Sequence, residues 1–119
     1  MVTRYPLPDL QALARSGDIV FANRRAERNA LQLGWTSDVL IAFVCGLRAR
    51  HHKGIRPALS VFDGRDTVDV DKYSARFNEE TMAVTFDRQC CEFFIELALK
   101  PLRSGEAVLV VSFHLDMQP

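Results

Sequence analysis

The sequence has no surplus charge of either sign: 15 Lys and Arg balance 15 Asp and Glu, for a formal net charge of +0 at pH 7. Proteins that bind polyanions through total charge carry a clear excess of Lys and Arg, so the balance argues against that class and leaves only a local basic site open. Long apolar runs are also missing. The longest, Val39 to Leu47, is far short of the roughly 20 residues that cross a bilayer, so no membrane partner is expected. The start, Met1-Val2-Thr3-Arg4-Tyr5-Pro6, carries no apolar signal region with a small-residue cleavage site, and the expected location is cytoplasmic. Cysteine is scarce, three in all. Cys90 and Cys91 are adjacent and would pair only with severe strain, and Cys45 sits in the apolar run, so all three are expected to be reduced packing residues. No Cys or His pair has the C-x2-C or H-x3-H spacing of a zinc site, so neither a metal nor another cofactor is expected.

What is present is an ordinary globular composition: 119 residues, 48% hydrophobic and 25% charged, enough for a single domain over 1–119. Leu7, Leu10, Leu13 and Ala14 recur at helical spacing after Pro6 and Pro8, and Gly17 supplies a stop, predicting a helix over about 7–15. Ile19-Val20-Phe21 reads as a brief strand. Asn23 caps a second helix that ends at Gly34, and Thr36 or Ser37 caps a third from Asp38 to about Leu47, apolar nearly all round. Beyond Arg50 the period changes to that of strands. Ala58–Phe62 and Thr67–Tyr73 flank an Asp63-Gly64 turn, Thr81–Phe86 forms a further short strand, and the alternating runs 93–99 and 109–115 form a hairpin across Ser104-Gly105. In the second of these runs, Leu109, Val111, Phe113 and Leu115 are expected on one face and Val108, Val110, Ser112 and His114 on the other. The expected class is α+β, with N-terminal helices on one face of an antiparallel sheet.

The charge is unevenly spread. Residues 1–56 hold nine Lys or Arg against four acids, and 57–119 hold six against eleven. Basic character peaks in Arg48-Ala49-Arg50-His51-His52-Lys53-Gly54-Ile55-Arg56, read as a loop between the apolar helix and the first long strand. Arg and Lys there suit charge-assisted phosphate contact, and His moves protons near neutral pH. Read without function, the same segment is a solvated connection. Asp69 and Asp71 share a strand face but have no third ligand nearby, so a solvated face is expected rather than a metal site.

Tyr5-x-Leu7 to Gly17-Asp18-Ile19, Ala26 through Leu33-Gly34, the helix ending in Gly46-Leu47, Lys53, Asp71-x-Tyr73 and Leu109-Val110-Val111-Ser112-Phe113, taken in order, resemble the MqsR family of toxins. Those are bacterial, ribosome-independent mRNA interferases with a RelE-like α+β fold, each neutralised by a cognate antitoxin. The resemblance implies cleavage of single-stranded mRNA and places Lys53 at the family's catalytic lysine. Val70 and Ser74 stand where the family has its catalytic glutamine and an arginine, and Phe94 and Glu96 where it has its catalytic tyrosine and a lysine.

A metal-independent ribonuclease deprotonates the 2′-hydroxyl, stabilises the phosphorane and protonates the leaving 5′-oxygen. Candidates for these roles are Lys53, His51, His52 and His114, with Arg50, Arg56 and Tyr73 as substrate contacts, Tyr73 through base stacking. Two function classes follow: an mRNA-cleaving toxin, or a RelE-like domain that has lost catalysis and binds RNA or a protein partner.

Overall fold

The computed structural model describes residues 2–59, 67–102 and 105–117. Helix α1 (Leu7–Arg15) carries Pro8 in its first turn, where a missing N–H costs nothing, and buries Leu10 and Ala14. Strand β1 (Ile19–Phe21) leads to Asn23, whose side chain accepts the Ala26 amide proton and opens α2 (Arg24–Gln32). Helix α3 (Ser37–Gly46) buries Leu40, Phe43 and Val44. A single 3-10 turn, Ala49–His51, then delivers the chain into the sheet.

The remaining strands are β2 (His52–Leu59), β3 (Thr67–Asn78), β4 (Ala83–Thr85), β5 (Glu92–Leu102) and β6 (Gly105–Met117). Their order is β1-β6-β5-β3-β2, with β4 pairing the far end of β3. The α+β class holds, and the sheet is mixed rather than wholly antiparallel. β1 lies parallel to β6, where Asp18 O accepts the Val108 amide and the Ala22 amide donates to Val110 O. Three residues carry no periodicity that fixes a partner or a direction. β2 also begins six residues before the expected strand, so the basic segment is largely strand rather than loop. The Asp63-Gly64 turn and Ser104 lie outside the described residues.

One face of the sheet holds the core. Trp35, between α2 and α3, has ring centroids 4.6–5.3 Å from those of Phe43, Phe77, Phe93 and Phe113, and its indole N–H donates to Glu79. Tyr73, Ala75, Phe93 and Ile95 share this face through direct pairing of β3 and β5. Asp71 shares it too and is fully buried, which corrects the expected solvated face. Its carboxylate accepts the amide protons of Arg4 and Tyr5 at 2.9 and 2.8 Å and meets His52 Nε2 at 2.8 Å. The carboxylate thereby pins the N-terminal segment to the sheet.

The second face carries Val70, Lys72, Ser74, Arg76, Phe94, Glu96, Ala98, Ser112 and His114. The expected alternation in β6 is broken by a bulge. Glu96 pairs with Ser112 and Leu97 with Val110, leaving Val111 as the extra residue. Val108, Val110 and Phe113 therefore all face the helices, and Leu109 joins Ser112 and His114. Beyond β1, the free edge of β6 is held by α2, with Asn23 Nδ2 donating to Val111 O and Asn29 Nδ2 to Phe113 O. No helix among the described residues is long and apolar enough to cross a membrane.

Candidate functional site

Lys53 owes its position to a second bulge. His52 pairs with Tyr73 and Gly54 with Lys72, so Lys53 is the extra residue, turned out of the ladder and exposed. Gly54 follows at φ 121°, a conformation that side chains other than glycine's disfavour. Behind the bulge, β2 ends and β4 has not begun, so a notch of about 470 Å³ opens beside β3. Arg50, Lys53, Arg76 and Arg88 line it against one carboxylate, Glu92. Helix α3 sets the position of β4 through close approach: a Cβ on Gly46 would come within 2.5 Å of Val84 Cγ2.

The notch also has an aromatic wall. Phe86 is 67% exposed, an unusual state for so large an apolar ring. The Arg50 guanidinium lies 4.2 Å from its centroid and the His51 ring stands 6.2 Å away. Arg76 is anchored from below, its Nη1 donating to Cys90 O at 2.6 Å. Cations that hold phosphate beside an exposed ring that stacks on a base are the means by which single-stranded nucleic acid is gripped.

The three histidines have three different fates. His51 Nδ1 accepts the Arg48 backbone proton at 2.8 Å, so that nitrogen's lone pair is used and Nε2 carries the hydrogen. Burial, with Arg50, Lys53 and Arg48 adding to it, pushes the His51 pKa below its ordinary value. His51 therefore lines the notch as a neutral hydrogen-bond donor and is not placed to take a proton. His52 is in the core, its side chain 1% exposed and paired to Asp71. His114 is the mirror of His51. A carbonyl only accepts, so Nδ1, 3.1 Å from Leu115 O, must carry the hydrogen, and the Nε2 lone pair is left free. Phe94 stacks on its ring at 4.8 Å and 23°.

His114 and Arg56 line a second cavity, of about 760 Å³, on the second face of the sheet. β2 and the α2-covered edge of β6 wall the same space, so the sheet curls into a trough. At its floor Arg56 reaches from β2 across β3 to Glu96 on β5. Nε and Nη2 both donate to the carboxylate, which is 2% exposed as a residue. Tyr73, by contrast, is 0% exposed with an unpartnered hydroxyl, and burial raises that hydroxyl's pKa. It packs against His52, with ring centroids 5.2 Å apart, and offers no face to a base.

The structure thus divides the seven sequence candidates. Arg50, His51 and Lys53 meet in the notch, Arg56 and His114 in the trough, and His52 and Tyr73 in the core. Ser74 lines the notch and shares a row with Phe94 and His114 across three strands, so about 10 Å separates the row's ends. Arg76, Arg88, Phe86 and Arg25 were missed. Arg76 sits three residues beyond the end of the expected strand, and only the extension of β3 to Asn78 brings it to the notch. Phe86 had a legible signal in that it closes a strand run just before Asp87. Among the described residues, no three His, Cys, Asp or Glu side chains group as a metal site, and all three cysteines are free. No family model, no curated protein and no solved structure matches the chain.

Proposed function

We propose that this protein is an endoribonuclease of the MqsR kind, a toxin that cleaves single-stranded mRNA without metal and is neutralised by a cognate antitoxin. The observation that carries the reading is the notch, where three arginines and an exposed ring converge beside Lys53, the residue that the resemblance sets at the family's catalytic lysine. In this reading phosphates run along Arg50, Arg76 and Arg88, and Lys53 steadies the phosphorane. Water takes the 2′-hydroxyl proton as O2′ attacks phosphorus. The P–O5′ bond breaks, the 5′-oxygen takes a proton from the Lys53 ammonium, and Lys53 regains one from water. The products are a 2′,3′-cyclic phosphate and a 5′-hydroxyl.

Induced expression of the wild type and Lys53→Ala tests it. The wild type arrests growth and leaves fragments with cyclic phosphate ends, and Lys53→Ala cleaves at least about 100-fold more slowly. Unaffected growth with intact RNA in the wild type overturns the nuclease. A binding-only domain is the second reading, favoured by apolar Val70 and Phe94 at the family's glutamine and tyrosine positions. It predicts that a single-stranded oligonucleotide binds at the notch and stays intact.

A further inference from the structure

The notch accounts for phosphates and one stacked base, and it leaves the larger trough without a task. Its walls combine apolar surface from Ala26, Pro57, Ala58 and Val111 with polar side chains from α2, β2 and β6, a mixture that can both hold and orient a ligand. Those polar groups are specific in kind. His114 presents a bare Nε2 acceptor, since its Nδ1 hydrogen is committed to Leu115 O. The Asn29 amide nitrogen spends one of its two hydrogens on Phe113 O, which fixes the side chain and leaves one N–H donor and the Oδ1 acceptor. The side chains of Ser112 and Arg25 have no hydrogen-bond partner among the described residues, so one hydroxyl and one guanidinium at the lining are open to a ligand. Behind them the Arg56–Glu96 fork fixes the floor, with Glu96 buried and both its oxygens held.

We propose that this trough takes one unstacked nucleobase of the RNA whose phosphates lie in the notch, and that it reads the base's edge. A flat heteroaromatic ring with donors and acceptors in its plane is what such walls accommodate. Single-stranded RNA offers that ring when a base is splayed from its neighbours. The proposal rests on the RNA reading of the notch, because the row Ser74, Phe94, His114 joins the two sites on one face. The stacked Phe94–His114 pair forms the sill between them. The polar set also supplies discrimination. A base whose edge matches Arg25, Ser112, Asn29 and His114 binds, and one that covers those groups without pairing them is rejected, because binding it strips their water and returns no hydrogen bond.

Amide chemical-shift titration of the full chain with guanosine, adenosine, cytidine and uridine tests this without any phosphate to draw the ligand to the notch. One nucleoside is expected to shift the amides of Arg25, Asn29, Arg56, Ser112 and His114 at a concentration at least tenfold below that needed by the poorest. Ser112→Ala and Arg25→Gln, which remove an unpartnered hydroxyl and an exposed helix charge, reduce that preference to less than threefold. Lys53→Ala leaves the nucleoside titration unchanged and weakens binding of a ten-nucleotide single-stranded RNA. Shifts confined to the notch, no shifts up to solubility, or four equal titrations overturn the base pocket. If the oligonucleotide binds while nucleosides miss the trough, the RNA reading survives and the pocket is lost. If nucleosides enter the trough while the wild type ignores the oligonucleotide, the pocket's ligand class survives and the RNA reading is lost.

Discussion

The two faces of this sheet are made by the same strands and obey different rules. The face under the helices is closed by aromatic packing around Trp35, and two of its buried ionisable groups, Asp71 and His52, are satisfied by each other and by backbone amides, with the Tyr73 hydroxyl as the exception. The second face is floored by one ion pair and lined in part by side chains, Ser112 and Arg25, that have no hydrogen-bond partner among the described residues. Polar groups finished internally hold a fold together, whereas those left unfinished at a concave surface are available to a ligand. The histidines make the same point within one residue type. His51 and His52 are spent on structure, and His114 keeps a free lone pair.

Substitutions on the first face should cost stability, and those on the second should cost binding. The largest expected loss is for Phe43→Ala, fully buried among Trp35, Phe77, Phe93 and Phe113. It lowers the unfolding free energy by about 3–5 kcal/mol in urea titration. Asp71→Asn is expected next, at about 3 kcal/mol, because it strands His52 and offers an amide to backbone donors. An Asp71→Asn protein as stable as the wild type would undo the claim that this buried carboxylate holds the face together. Glu96→Gln weakens the charge-assisted fork to Arg56 and costs about 1–3 kcal/mol. Phe86→Ala reverses the pattern. Stability stays within about 0.5 kcal/mol, while single-stranded RNA binding weakens by about 1–3 kcal/mol, measured by fluorescence anisotropy.

The smallest effect is a pH dependence. The His51 pKa is depressed in the fold, so between that lowered value and 6.5 the unfolded chain binds a proton that the folded chain does not. Stability therefore rises with pH across that window and falls as pH drops below 6.5. His51→Gln should flatten this slope in paired urea titrations between pH 5 and 7.5. An unchanged slope would mean that His51 takes up its proton in the fold after all.

Local signals carried most of the fold. Pro8, Asn23 and the glycines punctuate the helices close to where they lie, and the alternation in 93–99 and 109–115 correctly implied an antiparallel hairpin. The parallel seating of β1 was hidden, because it depends on which edge three residues meet after α1. The bulges were hidden for a related reason. A glycine such as Gly54 is a local sign of irregular backbone, but pairing register belongs to two strands at once and cannot be read from one. For the site, residue type was legible and availability was not. Tyr73 and His52 read as chemistry and serve as packing. Arg76 and Arg88 read as scattered charge, and folding gathers them beside Lys53.

The bulge at Val111 acts as a phase shift. Up to Val110 the strand runs in one parity and from Ser112 in the other, so a single run of alternating residues is cut into two words. Before the bulge Val108 and Val110 face the helices and Leu109 the other side, and after it Phe113 faces the helices and Ser112 and His114 the trough. Deleting Val111 would leave the flanking pairs in place and close this one shift in the ladder, while removing the carbonyl that Asn23 holds. The extra residue is thus not needed for pairing. Because bulges strengthen local twist and bend the strand that bears them, it is a means of curvature: the one-residue surplus helps decide whether the second face is a plane or a vessel.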